Sequence, residues 1–208
     1  MTPILSVLIP VWNQEDLVIK ALSSVPVRDG IEVLVCDNGS DDRTLERVEA
    51  WCAEHPKLRT GVYSNGVNMG CSFNHNRLLS LAEGVFFHIL DSDDSVYTEA
   101  YSKLIDRLYD TDADVICFDL RVNNGDVWKV TEETANLYCA QTVRFIRRSF
   151  VDGLKFPEHI NGASDWWFAQ DILKRNPKTV YTGVLAYKYN HPRVGSIMNL
   201  LARGLIKD

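Results

Sequence analysis

An alternation of two patterns is what most limits the folds open to this chain. Short runs rich in β-branched and aromatic residues recur along the first 120 residues, each followed by a stretch with helical spacing. Ile4–Ile9, Ile31–Cys36, Thr60–Ser64, Val85–Leu90 and Val115–Leu120 read as strands. Pro10 reads as the stop of the first. Between them, Glu15–Ser24, a segment from Asp41 and Asp42 to near Ala53, Ser72–Ala82 and Tyr97–Tyr109 repeat apolar residues three and four apart, as one face of a helix does. Strands alternating with helices predict βαβ units and a parallel sheet covered on both faces. In such sheets ligands bind beyond the carboxyl ends of the strands. Polar clusters fall at those ends: Trp12-Asn13, Asp37–Asp42 and Asp91–Asp94.

Asp91-Ser92-Asp93-Asp94 follows the most apolar of these runs. Three carboxylates within four residues repel one another, and an unpaired buried carboxylate is costly. A divalent cation relieves both problems, and Asp oxygens suit Mg²⁺ or Mn²⁺ shared with a phosphate. The plainer reading is a strand end followed by a helix capped by Asp94 or Ser95.

Other polar residues carry two readings as well. Asp37 fits a ligand contact or an Asn38-Gly39 turn. Asn68, Gly70 and Ser72 precede a helix, where Gly70 allows close backbone approach and Ser72 reads as a cap or a phosphate seat. Asp165 opens a helix, where the dipole favours an acid, and it stands before Trp166 and Trp167. At least one of these tryptophans is expected in the core, and an exposed one would suit a sugar face. His191 is a loop histidine, fit for a metal or a diphosphate, as is Arg193 for the latter.

The second half is less regular. Asp119–Val130 reads as a hairpin turning at Asn123–Asp126. Cys139–Phe150 reads as an amphipathic helix, Asp165–Asn176 as a helix rich in aromatics, and Thr179–Lys188 as a last strand. A chain of 208 residues fits one domain, with residues 1–120 as a nucleotide-binding half and 121–208 as a smaller irregular acceptor-side half. The net charge of −6, without a basic run, gives no nucleic-acid signal. Five scattered cysteines without a CxxC pair argue against a zinc site or a disulfide framework and for a reducing, cytoplasmic setting. The first residues lack a signal-peptide pattern, and no stretch reaches transmembrane length. Membrane work would then be peripheral, at an inner membrane face.

The ordered blocks resemble family 2 glycosyltransferases of the GT-A fold. SVLIPVWNQED is similar to the family's first strand and loop, with Trp12 where Tyr is usual. VLVCDNGSDDRT is similar to its second block, with Asn38 for an aspartate. Asn68, Gly70, Ser72 and Asn76 match its third, with His75 where Arg is common. HILDSDDS matches its metal-binding block, and Ser164-Asp165 resembles its Glu-Asp pair with Ser164 in place of Glu. Tyr187, Tyr189 and Ser196 resemble its closing motif.

The resemblance implies single-sugar, inverting transfer from a nucleotide sugar, most simply a UDP-sugar, to the hydroxyl of a glycan or lipid-linked acceptor. Pro10, Trp12, Asn13, Glu15, Asn68, Gly70, Ser72 and Ser92 would line the donor. Asp37 would hold the base and Asp91 the ribose. Asp93, Asp94 and His191 would hold Mn²⁺ or Mg²⁺, and Asp165 would be the base, with Asp171 in reserve. The short chain after the last motif leaves the acceptor to a partner, a membrane surface or a second copy in a homo-oligomer. A nucleotidyltransferase would need basic residues in the first loop, and Pro10–Asp16 has none. A non-catalytic nucleotide- or sugar-binding module is left open by Ser164.

Overall fold

The computed structural model describes residues 2–134, 141–159 and 164–191. The strands are β1 (Leu5–Val11), β2 (Ile31–Asp37), β3 (Arg59–Ser64), β4 (Phe86–Ile89), β5 (Ser95–Val96), β6 (Val115–Val122), β7 (Val127–Trp128), β8 (Arg144–Arg147) and β9 (Thr179–Tyr189). The helices are α1 (Val18–Ser24), α2 (Thr44–Glu54), α3 (Cys71–Leu81), α4 (Thr98–Asp106) and α5 (Ser164–Lys174). The strands join one sheet in the order β3-β2-β1-β4-β8-β6-β9-β5, with β7 paired to β6 beside that path.

The predicted βαβ half is present. β1 pairs in parallel with β2 and β4, and β2 with β3. Leu5, Ser6, Val7, Leu8 and Ile9 are buried in succession. Successive side chains of a strand face opposite sides, so both faces of the sheet are covered here. α3 packs on β1 and β2, α1 against α2 and β5, and α4 against β9. Pro10 does not end the first strand, which runs on to Val11. β4 pairs only as far as Leu8, so the missing N–H of Pro10 removes no bond to that neighbour.

The far half departs from the expectation. β8 is antiparallel to both β4 and β6, and β5 is antiparallel to β9. Of the predicted helix Cys139–Phe150, residues 139 and 140 lie outside the described residues. The remainder is a 3₁₀ turn (Gln141–Val143), then β8, then a second 3₁₀ turn (Arg148–Val151). Phe145 and Ile146 of β8 are fully buried in the sheet centre. The segment's apolar residues fit either period, and four residues are too few to separate them. The hairpin does form: β6 and β7 pair antiparallel, and Gly125 takes φ +95° in the turn.

A buried histidine ties the two halves together. His88 of β4 bonds the Tyr101 hydroxyl through Nδ1 and the Thr142 carbonyl through Nε2, each at 2.7 Å. The carbonyl requires Nε2 to carry the proton, which leaves Nδ1 to accept from Tyr101. Burial pushes the His88 pKa down to about 4.

Candidate active site

The carboxyl ends of β1, β2 and β4 carry loops that are stitched to one another. Asn13, at φ +50°, donates its backbone N–H to Ser40 Oγ (2.9 Å) and accepts from Asp41 N through Oδ1 (3.0 Å). Glu15 N donates to Asp42 Oδ2 (3.1 Å), and Glu15 Oε2 accepts from Arg43 N (3.1 Å). Asp37 is buried and accepts from Gly39 N (3.1 Å), Ser40 N (3.1 Å) and Ser64 Oγ (3.3 Å). It holds the turn that the sequence suggested. Gly39 takes φ +75°, and a Cβ there would meet the Val67 backbone at 2.5 Å. Trp12 stands half-exposed at the rim, while Pro10 is half-buried in β1.

Asn38 links this turn to the loop before α3. Its Nδ2 donates to Asn68 Oδ1 (2.9 Å) and Gly70 O (3.2 Å). Its Oδ1 accepts from Asn65 Nδ2 (2.8 Å) and Met69 N (3.0 Å). An aspartate could not make both donations, which accounts for the departure from the family pattern. Gly70 stands at the N-cap of α3 with φ +88° and open space around it, so conformation rather than close approach requires glycine. Ser72 is not the cap. It lies inside α3 and is buried.

The acid loop follows β4. Ser92 is buried, and Asp91 and Asp93 keep partial exposure. Asp94 is only 1% exposed. Its Oδ2 accepts from the Tyr187 hydroxyl (2.5 Å) and its Oδ1 from Asn190 N (2.7 Å). Neither Asp94 nor Ser95 caps a helix: Ser95 is in β5, and Tyr97 is the N-cap of α4.

Asp165 joins this cluster from α5. Burial drives the Asp91 carboxyl well above its ordinary range, and the charges of Asp94, Asp93 and Asp165 add to the effect. Burial likewise raises Asp165, opposed by the Trp166 and Asp165 backbone N–H groups and by the Arg144 charge. Tyr189 is pushed up to about 12 by burial and by the same four acids. The thiol of Cys71, a residue that keeps surface exposure, rises to about 12 through desolvation and the charges of Asp91 and Asp165. Four carboxylates from two distant segments therefore lie close enough to act on common groups.

The cluster is suited to a cation, but not as a closed cage. Among the described residues no three metal-ligating side chains converge on one point. His191 does not complete a set with Asp93 and Asp94. Its ring lies stacked on Tyr189 at 5.2 Å, with Trp128 at 6.5 Å. Repulsion around Asp91 still favours a divalent ion, and Mg²⁺ sites commonly use one or two carboxylates plus substrate phosphates. The donor set fits such a half-built site.

Further placements bear on the surroundings of Asp165. Asp171 is tied to Lys174 (2.7 Å). Neither neighbouring tryptophan is core: Trp166 is 41% and Trp167 45% exposed, edge to face with each other at 4.8 Å. Phe168 is the buried aromatic, stacked on Phe156 at 4.0 Å, and Phe156 also meets the His75 ring at 4.7 Å. Asn76 holds this segment to α3 through the Phe156 backbone, accepting from its N–H (2.8 Å) and donating to its carbonyl (2.9 Å). The third sequence block thus steadies the helix that bears Asp165. Arg144, buried in β8 beneath the site, was hidden by the helical reading of its segment. Arg193 and Ser196 lie outside the described residues.

The family model for glycosyl transferase family 2 matches residues 6–176. The chain belongs to glycosyltransferase family 2. An uncharacterised glycosyltransferase of Mycoplasma pneumoniae is 26% identical over 214 residues, covering 94% of this chain and 71% of its own length. The poly(ribitol-phosphate) β-N-acetylglucosaminyltransferase TarS of Staphylococcus aureus is 26% identical, over 93% of this chain and 36% of its own. The structure of TarS residues 1–349 with UDP-GlcNAc superposes with a TM-score of 0.80 at 25% identity, over 93% of this chain and 60% of that one. A Pyrobaculum calidifontis mannosyltransferase solved with GDP-Man and Mn²⁺ has a TM-score of 0.73 at 20% identity, over 94% of this chain and 59% of that one, a likeness of fold. This family 2 chain has the GT-A fold, and it spans about a third of the TarS sequence. No described helix is long and apolar enough to cross a membrane.

Proposed function

We propose that this family 2 glycosyltransferase moves one sugar from a nucleoside-diphosphate donor to an acceptor hydroxyl, inverting the anomeric carbon. The observation that carries this reading is that Asp165 lies close enough to the acid loop at the end of β4 to act, with Asp93 and Asp94, on the Asp91 carboxyl. Transfer needs a seat for a diphosphate leaving group and a separate base for the incoming hydroxyl. The acid loop supplies the first and α5 the second.

In this reading Asp37, Asn68 and the loop from Trp12 to Glu15 hold the nucleoside, with Asp91 toward the ribose. Asp93, with Asp94 behind it, would hold Mn²⁺ or Mg²⁺, which neutralises charge on the leaving diphosphate when bound. Both Asp94 oxygens accept from protein donors, which fixes its carboxylate beside Asp93. Asp165 removes the acceptor proton as the hydroxyl attacks. Burial raises its pKa, which makes its carboxylate a stronger base than an exposed one. Trp166 and Trp167 offer exposed aromatic faces to the acceptor. The TarS complex supports a UDP-sugar donor, and poly(ribitol-phosphate) is one acceptor class to try.

The test is thermal stability against UDP-, GDP-, CDP- and dTDP-sugars, with and without Mn²⁺. A rise that needs both Mn²⁺ and UDP-sugar is expected. Silence toward every nucleotide would sink the reading. Asp165→Asn should lower donor hydrolysis at least about 100-fold, and unchanged hydrolysis would remove Asp165 from its role.

A further inference from the structure

A recess of about 180 Å³ opens beside the acid loop and is not used by the chemistry above. Lys20, Tyr97, Arg121, Val122, Asn123, Lys188 and Asn190 line it. Three of the seven are cations and none is an acid, in a chain whose net charge is −6. The cations come from α1, β6 and β9. Arg121 and Lys188 are register partners on neighbouring parallel strands, so their side chains leave the same face of the sheet side by side. Like charges so placed repel. Neither they nor Lys20 form an ion pair among the described residues, although nine such pairs occur elsewhere. The Lys188 ammonium lies 4.4 Å from the centre of the Tyr97 ring, which holds it over the recess wall. Asn123 Nδ2 donates to Asn190 Oδ1 (2.8 Å), which leaves the Asn190 amide nitrogen as a further donor. A cavity with three converging cations, neutral donors and no carboxylate is built for a compact anion with several acceptor oxygens.

We propose that this recess binds a phosphate group, as a phosphomonoester or phosphodiester, at a site separate from the donor diphosphate. The guanidinium of Arg121 grips two oxygens, Lys20 and Lys188 neutralise the charge, and Asn190 fixes the orientation. Asn190 also donates its backbone N–H to Asp94, so the phosphate sits one residue from the acid loop without sharing its carboxylates.

The test is an NMR titration of the whole chain with inorganic phosphate in EDTA, where no divalent ion can bring phosphate to the acid cluster. Saturable shifts at the amides of Asn123, Lys188 and Asn190 are expected. Arg121→Ala and Lys188→Ala should each weaken binding roughly 5- to 10-fold while the melting temperature stays native. Shifts confined to Asp91–Asp94, variants that bind as the wild type does, or no saturable shift would each overturn the proposal. A second arm separates the source of the phosphate. Binding of sn-glycerol 1-phosphate that is lost in the variant combining Arg121→Ala and Lys188→Ala assigns a soluble acceptor phosphate. Co-sedimentation with phosphatidylglycerol vesicles but not phosphatidylcholine vesicles, lost in the same variant, assigns a lipid headgroup. Failure of both probes overturns the site. None of these readings uses the nucleotide donor, so they stand or fall apart from the transferase reaction.

Discussion

At the scale of single residues, Asn38 shows how a departure from a family pattern can be structurally exact in its demands. Its amide donates twice and accepts twice, joining the β2 turn to the loop before α3. Asn38→Asp turns the donating end into a carboxylate oxygen facing Asn68 Oδ1 and the Gly70 carbonyl. The expected cost is about 1–3 kcal/mol, read as a lower urea midpoint, with weaker binding of the proposed nucleotide-sugar donor because Asn68 and Gly70 lose their anchor. Native stability in this variant would show that the amide is replaceable. Asp37, Asp91 and Asp165 were legible in the sequence because acids at strand or helix ends are conspicuous. The partners that fix Asp94 were not, because Tyr187 and Asn190 lie 93 and 96 residues away.

At the scale of elements, the parallel half was readable because its strands are long runs bounded by turn residues. β5 and β8 were not. β5 has two residues, and the apolar residues of β8 lie in a segment that fits a helical spacing as well, so their pairing is settled by β9 and by β4 and β6. The loss was more than topological, since β8 brings Arg144 beneath Asp165. Its charge opposes the burial that raises the Asp165 carboxyl. Arg144→Met removes that opposition, so Asp165 holds its proton to higher pH. In the proposed reaction Asp165 must be ionised to act as base, so the acidic limb of the kcat/KM profile should move upward in pH, with the largest loss of rate on its acidic side. An unmoved limb would separate Arg144 from the base.

At the scale of the molecule, two buried neutral histidines set the response to acid. Burial lowers the pKa of His75 and of His88 to about 4, against 6.5 for the free side chain. The unfolded chain therefore binds protons that the folded chain refuses. Their stabilising contribution is complete above about pH 6.5 and lost as pH falls toward 4, on the order of 3 kcal/mol for each. Asp91 acts with the opposite sign: its raised pKa favours the folded state at low pH, and that benefit is lost as pH rises through the raised value. His75→Phe isolates one contribution, because Nε2 has no partner among the described residues and a phenyl ring can keep the contact with Phe156, giving up the 3.5 Å contact of Nδ1 with Cys71 Sγ. The variant should match or exceed the wild type at pH 7.5 and lose less of its urea midpoint by pH 4.5. An unchanged slope would show that His75 does not titrate on unfolding. The long tie between Asp94 and the end of β9 also bears on how the protein is made. The acid loop is synthesised by residue 94, yet the hydroxyl and amide that hold it arrive with residues 187 and 190. While the chain is still emerging from the ribosome, it carries the nucleotide-side loops without a fixed acid seat. The bonds that hold Asp94 form only once residues 187 and 190 have been made.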